Sequence, residues 1–365
     1  MNKMNNLNNR CYIIAEAGVN HNGSIKMALQ MIDVAAAAGA DAVKFQTFKA
    51  EKVISKYAPK AAYQKKTTSK KESQLEMVKK LELDENAHRQ LIKQCHKRGI
   101  SFLSTPFDFE SIDLLAHHLN LPRLKIPSGE ITNGPYLLHV AQTGKPVILS
   151  TGMSTLGEVE AALGVLAFGY LSKINKPSLE KFQKAYASAK GRKILREKVS
   201  LLHCTTEYPA PFDDVNLRAM ETMRNAFGLP VGLSDHTTGI AVPIAAVALG
   251  AAIIEKHFTL DRNLPGPDHK ASLEPDELGA MITAIRNVEL AFGQDQKRPT
   301  VSEMKNKDVA RKSLMAACPI KKGDTFNENN ISIKRPGTGK SPMLYWLMLN
   351  QKSKQNYDKD QIIIE

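Results

Sequence analysis

Long apolar runs are missing from this 365-residue chain. No stretch of about 18 apolar residues occurs, and the longest candidate, Ala241–Ile254, is broken by Pro243 and Gly250. Neither a membrane-spanning helix nor a membrane partner is expected. The N-terminal MNKMNNLNNR is polar and lacks the apolar segment and cleavage site of a signal peptide. Cysteine is scarce: the four stand at positions 11, 95, 204 and 318, with no CxxC pair and no zinc-like spacing. Free thiols in a reducing cytoplasm are the expectation. Acidic residues are outnumbered, 37 Asp+Glu against 50 Lys+Arg, for a net charge of +13. The lysines crowd into Lys56–Lys80 and Lys173–Lys198. Neither stretch carries aromatics spaced for base stacking, so the excess reads as solvated surface and no nucleic-acid partner is expected. A glycine-rich phosphate loop is absent too. The first strand runs into AEAGVNHNG, which has neither GxGxxG nor GxxxxGKT spacing, and this argues against an open dinucleotide-binding sheet.

What remains is ordinary globular composition, 42% hydrophobic and 24% charged, which excludes a disordered, collagen-like or coiled-coil chain. Short β-branched runs alternate with amphipathic helical patterns. Strands are expected at Tyr12–Glu16, Ala42–Gln46, Ile100–Ser104, Arg123–Ile126, Pro146–Ser150, Val199–Cys204, Pro230–Ser234 and Ala251–His257. Helices are expected near 25–38, 85–98, from 110, 135–142, 156–166, 216–227, 239–249 and 275–292. Strict alternation argues a parallel sheet, because parallel strands need crossover connections. Eight units of this length fit a closed α/β barrel, the (β/α)8 TIM barrel. The barrel is assigned to 1–292, a polar linker to 293–308, and a small domain of short strands and turns to 309–365. That tail is too small to hold a large core alone and is expected to pack on another surface.

A barrel places its chemistry at the C-terminal ends of its strands. Polar residues stand there in nearly every unit: Glu16; Lys44 and Gln46; Thr105; Lys125, Ser128 and Glu130; Ser150; His203 through Thr206; Ser234, Asp235 and His236; Glu255 and His257. Pairs two apart share a strand face. Lys44 and Lys125 with the hydroxyls suit a phosphate and a carboxylate held together, although a strand-end lysine also suits a Schiff base. His236 and His257 end neighbouring strands, so their imidazoles converge on a divalent ion such as Mn or Zn, or else bond within the core. His203 is a third candidate ligand, with Asp235 and Glu255 as partners behind the histidines. Glu16, Asp268 and Glu130 are the acid–base candidates, unranked, and LPGPDH at 264–269 reads as a substrate-contact loop or a proline turn.

The ordered motifs AEAGVNHNG, DAVKFQT, STPFD, KIPSGE, STGM, HCTTEYPAP, GLSDHT, EKHFT and PGPD, followed by RKSLMA, IKKGD and KRPG, resemble the bacterial sialic acid (N-acetylneuraminate) synthase family, with its legionaminate and pseudaminate relatives, over about residues 11–365. The resemblance implies a TIM barrel joined to a small antifreeze-like domain. It also implies a domain-swapped homodimer in which each antifreeze-like domain covers the partner's barrel mouth. The reaction implied is condensation of phosphoenolpyruvate with N-acetylmannosamine and water to N-acetylneuraminate and phosphate. Legionaminate synthesis from a 2,4-diacetamido-6-deoxy hexose is the alternative, and pseudaminate a remoter one. The cofactor implied is a divalent metal, typically Mn2+, with Mg2+ or Co2+ as alternatives. It falls on His236 and His257, which returns His203 to a structural role or to one behind the metal ligands.

By the same resemblance, phosphoenolpyruvate contacts fall on Lys44, Thr105, Lys125, Ser128, Ser150, Thr206 and Ser234. Thr206 stands where an asparagine is expected. Sugar contacts fall on Gln46, Tyr208 and Asp268, with Arg335 matching the arginine inserted into the partner's site, and Glu16 matches the catalytic glutamate. Two departures stand out: the long basic stretch Gly169–Lys198, read as a surface helix, and Asn350–Gln351 where a glycine is expected. Two other classes compete. A dead barrel with a carbohydrate- or ice-binding tail should bind no metal and release no phosphate. A Schiff-base lyase should be trapped by borohydride at Lys44 or Lys125.

Overall fold

The computed structural model describes residues 10–59, 73–172 and 175–364. Much of the first lysine-rich stretch and the N-terminal segment lie outside the described residues. The chain divides into two compact units, 1–292 and 293–365.

Unit one contains β1 (Tyr12–Gly18), α1 (Ile25–Ala37), β2 (Ala42–Thr47), α2 (Ala50–Val53), α3 (Gln74–Lys79), α4 (Glu85–Arg98), β3 (Ser101–Pro106), α5 (Phe109–Asp113), β4 (Leu124–Ile126), α6 (Gly134–Gln142), β5 (Val147–Ser150), α7 (Leu156–Leu171), α8 (Leu179–Ala187), α9 (Ala189–Lys198), β6 (Val199–Cys204), α10 (Ala219–Phe227), β7 (Val231–Asp235), α11 (Ala241–Ala248), β8 (Ile253–His257) and α12 (Pro275–Ala291). All ladders are parallel, in the order β3-β2-β1-β8-β7-β6-β5-β4, and β3 lies beside β4 at the closing seam. This is a (β/α)8 TIM barrel. No described helix is long and apolar enough to cross a membrane.

Local sequence explains where the helices begin and end. Ser24 caps α1 and Asp84 caps α4 through side-chain oxygens that accept backbone N–H groups. Ser73 with Glu76 and Thr155 with Glu158 form reciprocal capping boxes on α3 and α7. Asn216 was expected to begin a helix but sits at φ 50°, so α10 starts only at Ala219. The expected single surface helix in 169–198 is instead an extension of α7 to Leu171 followed by α8 and α9. These pack on the barrel shell through Phe168 and Phe182, whose rings are 5.2 Å apart.

Two apolar layers fix the barrel. One lies between sheet and helices and includes Ile13, Ala15, Val43, Phe45, Leu149 and Leu201. The other fills the interior with Ile14, Ala42, Leu103, Ile148, Leu202 and Ile253. Side chains alternate along a strand, so the next inward positions are Glu16, Lys44, Thr105, Ser150, Cys204 and Glu255. The ladders bring these polar residues level, pairing Glu16 with Lys44 and with His257, Gln46 with Thr105, and Ser234 with Glu255. Gly232 leaves room in this wall, because a Cβ there would lie 2.1 Å from the Ile253 carbonyl oxygen.

One ion pair stands apart from the cavity. Lys256 Nζ donates to Asp235 Oδ2 at 2.5 Å and to the Thr237 carbonyl, with both partners buried. Removing one member of such a pair strands the other charge. Lys256→Met should therefore lower folding stability by about 3–5 kcal/mol, read from the urea midpoint. A loss under about 1 kcal/mol would mean that Asp235 is solvated or neutral there.

Unit two has its own core of Leu314, Ala316, Ile320, Phe326, Ile331, Met348, Tyr357 and Ile363. It is built around β9 (Ser313–Ala316) paired antiparallel with β10 (Ile331–Lys334). The stretch expected to be a linker carries α13 (Val301–Ala310), started by a Thr300/Glu303 capping box. A polar, charged composition hid this helix, which has no buried residue. Asn350 occupies a left-handed turn at φ 67°, a conformation asparagine shares with glycine, so the departure there costs little.

Candidate active site

The polar layer opens into a cavity of about 360 Å³ at the C-terminal mouth of the barrel, a size that suits small molecules. Its lining includes Glu16, Lys44, Gln46, Thr105, Lys125, Ser128, Ser150, Thr206, Tyr208, Ser234, His236, His257 and Asp268. The structure thus brings together every barrel residue that the family resemblance assigns to substrate, metal or catalysis. Arg335 belongs to unit two, where it is exposed and its Nε donates to the Ala310 carbonyl at 3.0 Å. Glu130 does not line the cavity; it accepts from Asn133 at 2.7 Å and borders a neighbouring crevice. His203 is also outside it, with Nε2 donating to the Val215 carbonyl at 2.6 Å.

Four charges meet at the cavity floor. Lys44 Nζ is 2.8 Å from Glu16 Oε2, 3.7 Å from Glu255 Oε2, and donates to Thr105 Oγ1 at 3.0 Å. Lys125 Nζ donates to Ser150 Oγ at 2.6 Å and lies 3.5 Å from Glu255 Oε1. Glu255 accepts from Ser234 Oγ at 3.0 Å. Burial alone would neutralise all four. For Glu255, Lys125 and Lys44 outweigh burial and hold the carboxyl down at about 2. For Glu16, burial wins over Lys44 and pushes the carboxyl up to about 7, helped by the Glu255 charge. Burial also opposes the Lys44 charge, but Glu16 and Glu255 together hold its pKa above the usual lysine value. Lys125 is lowered by burial, with Glu255 restoring part of the loss.

Glu255 is therefore the hub of the cluster, whereas the sequence suggested only a partner behind the histidines. Its position two residues before His257 on one strand face was the available signal. The pairing also bears on the Schiff-base alternative. A lysine held between two carboxylates is favoured in its protonated, non-nucleophilic form, an argument that applies to Lys44 and not to Lys125, whose pKa burial lowers.

His236 and His257 lie with ring centroids 5.6 Å apart, beside the Tyr208 ring. Burial lowers both imidazoles below the usual histidine range, so they are neutral and able to donate lone pairs. His236 Nδ1 donates to the Thr205 carbonyl at 2.6 Å, which leaves Nε2 as the ring's lone-pair nitrogen, met by the Ser234 hydroxyl only at 3.5 Å. His257 Nδ1 is buried with no hydrogen-bond partner among the described residues. An oriented imidazole beside an orphaned ring nitrogen fits a transition-metal ion. No three His, Cys, Asp or Glu side chains gather into a metal-binding group among the described residues, so substrate or water oxygens would complete the shell.

A wall that sequence reasoning missed is apolar: Phe48, Val53, Ile54, Met77 and Leu81, from α2, α3 and their flanks. These residues lie off the strands, in and beside a lysine-rich stretch, so no period marked them.

Residues 31–297 match the model of the NeuB family. The chain belongs to the NeuB family. It is 53% identical to the N,N'-diacetyllegionaminic acid synthase of Campylobacter jejuni over 97% of this chain and 98% of the relative. It is 45% identical to the enzyme of that name from Legionella pneumophila, over 91% of this chain and 87% of the other. Among solved structures it resembles an N-acetylneuraminic acid synthetase from Leptospira borgpetersenii, with a TM-score of 0.65 and 34% identity, covering 82% of this chain and 90% of that one.

Proposed function

We propose that this NeuB-family chain condenses phosphoenolpyruvate with 2,4-diacetamido-2,4,6-trideoxymannose and water, giving N,N'-diacetyllegionaminate and phosphate. The observation that carries the reaction type is the buried floor in which Lys44 and Lys125 face one cavity with Glu16 between charge states. The choice of sugar is supported by the two legionaminic acid synthases at 53% and 45% identity. The apolar wall of Phe48, Val53, Met77 and Leu81 also suits acetamido and C6 methyl groups better than hydroxyls. N-acetylmannosamine, the sugar favoured by the motifs alone, has weaker support, since the sialic acid synthetase is 34% identical.

Lys44 and Lys125, with Thr105, Ser128 and Ser150, hold the phosphate and carboxylate of phosphoenolpyruvate and screen their repulsion. Gln46, Tyr208 and Asp268 orient the open-chain sugar so that its aldehyde carbon meets the methylene carbon. A divalent ion on His236 and His257, manganese for preference, would supply Lewis-acid polarisation of the aldehyde. As the C–C bond forms, the aldehyde oxygen becomes an alkoxide and positive charge develops at C2. Water adds at C2 and loses a proton; the C2–O bond to phosphate then breaks, and the new C2 hydroxyl passes its proton to the departing phosphate to leave the ketone. Glu16 can take the proton from water and return one to the sugar oxygen, because its carboxyl titrates near neutrality.

A homodimer belongs to the same reading, since Met343, Trp346 and Leu347 of unit two are exposed apolar side chains that a second copy would cover. So do the antifreeze-like assignment of unit two and a cytoplasmic location, the latter supported by four cysteines without disulfides.

The test is phosphate release with manganese and each sugar. The diacetamido sugar should win by about tenfold or more in kcat/KM, and a chelator should abolish turnover until manganese is restored. Preference for N-acetylmannosamine would move the chain to sialate synthesis. No release with either sugar at full metal loading would sink the synthase reading.

A further inference from the structure

The turn after β1, Val19–Gly23, carries the NHNG part of a motif that none of the proposed substrate contacts uses. Its Asn20 is 1% exposed and does not line the cavity. Asn20 Nδ2 donates to the Phe258 carbonyl and to Ser272 Oγ, both at 2.9 Å. Ser272 Oγ in turn donates to the carbonyl of Asp268 at 2.7 Å. Each Ser272 hydroxyl function is thereby used, one accepting and one donating. The next residue, Leu273, donates its N–H to the His257 carbonyl at 2.9 Å. The segment carrying Asp268 is thus tied to the end of β8 and to the β1 turn at once. The turn itself has no slack: a Cβ on Gly23 would lie 2.3 Å from the Lys80 carbonyl oxygen.

Asp268 needs such a tie. Its side chain lines the cavity, is buried, and takes no hydrogen bond from any donor among the described residues. Nothing on the carboxylate itself fixes its place, so its backbone must. A displacement of about 1 Å there is enough to weaken a substrate contact severely.

We propose that Asn20 and Ser272 are positioning residues for Asp268, forming a buried strap from the β1 turn that holds this carboxylate against the amino sugar. The proposal rests on the reading that the cavity binds a sugar at Asp268. The strap touches neither lysine clamp, so it governs sugar affinity and leaves phosphoenolpyruvate affinity alone.

The experiment uses the full chain with phosphoenolpyruvate and the alditol of the diacetamido sugar, which lacks the aldehyde and cannot condense. Ligand-observed NMR reads affinities into the millimolar range. Ser272→Ala should weaken alditol binding about tenfold and change phosphoenolpyruvate binding less than about twofold. Ser272→Thr, which keeps the hydroxyl, should bind within about threefold of wild type, and Asn20→Ala should act in the same direction as Ser272→Ala. In an Asp268→Ala background, Ser272→Ala should add less than about twofold, because the group it positions is gone. Equal weakening in both backgrounds, or parallel loss of phosphoenolpyruvate binding, would overturn the strap as a positioning device and leave it a folding element. A wild-type chain that binds phosphoenolpyruvate but no alditol would overturn the sugar reading and this proposal together.

Discussion

Glu16→Gln is expected to lower kcat by roughly 10³-fold while the KM for phosphoenolpyruvate changes little. The substitution keeps the shape of the side chain and removes its ability to exchange a proton. Glu16 is a buried carboxyl at the floor whose pKa lies near working pH, at about 7, because burial outweighs Lys44 and the Glu255 charge adds to the rise. Glu255, its neighbour, stays ionised at about 2 and so cannot substitute for it. The wild-type enzyme should carry an acid limb in its pH profile. If Glu16 acts on water as a base it must be ionised, so activity should fall as pH drops through about 7. Asp268 lines the same cavity and is pushed up by burial to about 6, so Glu16→Gln should remove the part of the limb near 7 and leave a limb at lower pH. Phosphate release measured across pH checks both points. A loss below about tenfold, or an unchanged acid limb, would remove Glu16 from proton transfer.

Lys125→Met should cost roughly three orders of magnitude in kcat/KM, with much of it in the KM for phosphoenolpyruvate. Lys125 and Lys44 are not equivalent. Lys44 is shared between Glu16 and Glu255, at 2.8 and 3.7 Å. Lys125 meets a single carboxylate, Glu255 at 3.5 Å, and a hydroxyl at 2.6 Å. It is therefore the cation with more charge left over for an incoming anion. Removing it also leaves the Glu255 charge less compensated, at the place where phosphate or carboxylate must sit. Arginine should not rescue, because a planar guanidinium does not fit the point occupied by Nζ between Ser150 and Glu255. Steady-state kinetics with phosphoenolpyruvate as the varied substrate, alongside a melting curve to exclude unfolding, decides the matter. A KM within about threefold of wild type would show that the anion is held elsewhere.

Much of this architecture was legible before any coordinates. Eight short β-branched runs separated by helical patterns can only pair in parallel with crossovers, so a barrel was the economical reading. Where the strand ends, Lys44 and Gln46, or Glu255 and His257, fall two apart, the alternation of side chains placed both on one face, and the structure puts them in one cavity. The misses have a common cause. Glu130 follows the same strand as Ser128, two residues later, and the turn at 128–130 directs it to Asn133 instead. The apolar wall comes from residues 48–81, which have no periodicity shared with the strands. The helix over Val301–Ala310 has no buried face and so left no hydrophobic signature. The two helices at 179–198 were hidden in a lysine-rich stretch whose few buried residues, Ala185, Gly191 and Leu195, are too sparse to show a stripe.

The sequence by itself determined the alternation of strands and helices, the face of each strand that carries polar residues, and the family motifs. These are local properties, set by side-chain period, capping residues and turn chemistry within a few positions. Only the tertiary structure decided which charges neutralise which. Ladder register sets Glu16 level with Lys44 and His257, and Ser234 with Glu255. Burial at that level then turns two carboxyls of like ordinary acidity into one that holds its charge and one that exchanges a proton near neutrality. Such a division depends on Lys44 lying 2.8 Å from Glu16 and 3.7 Å from Glu255, residues far apart in the chain, which no local pattern encodes.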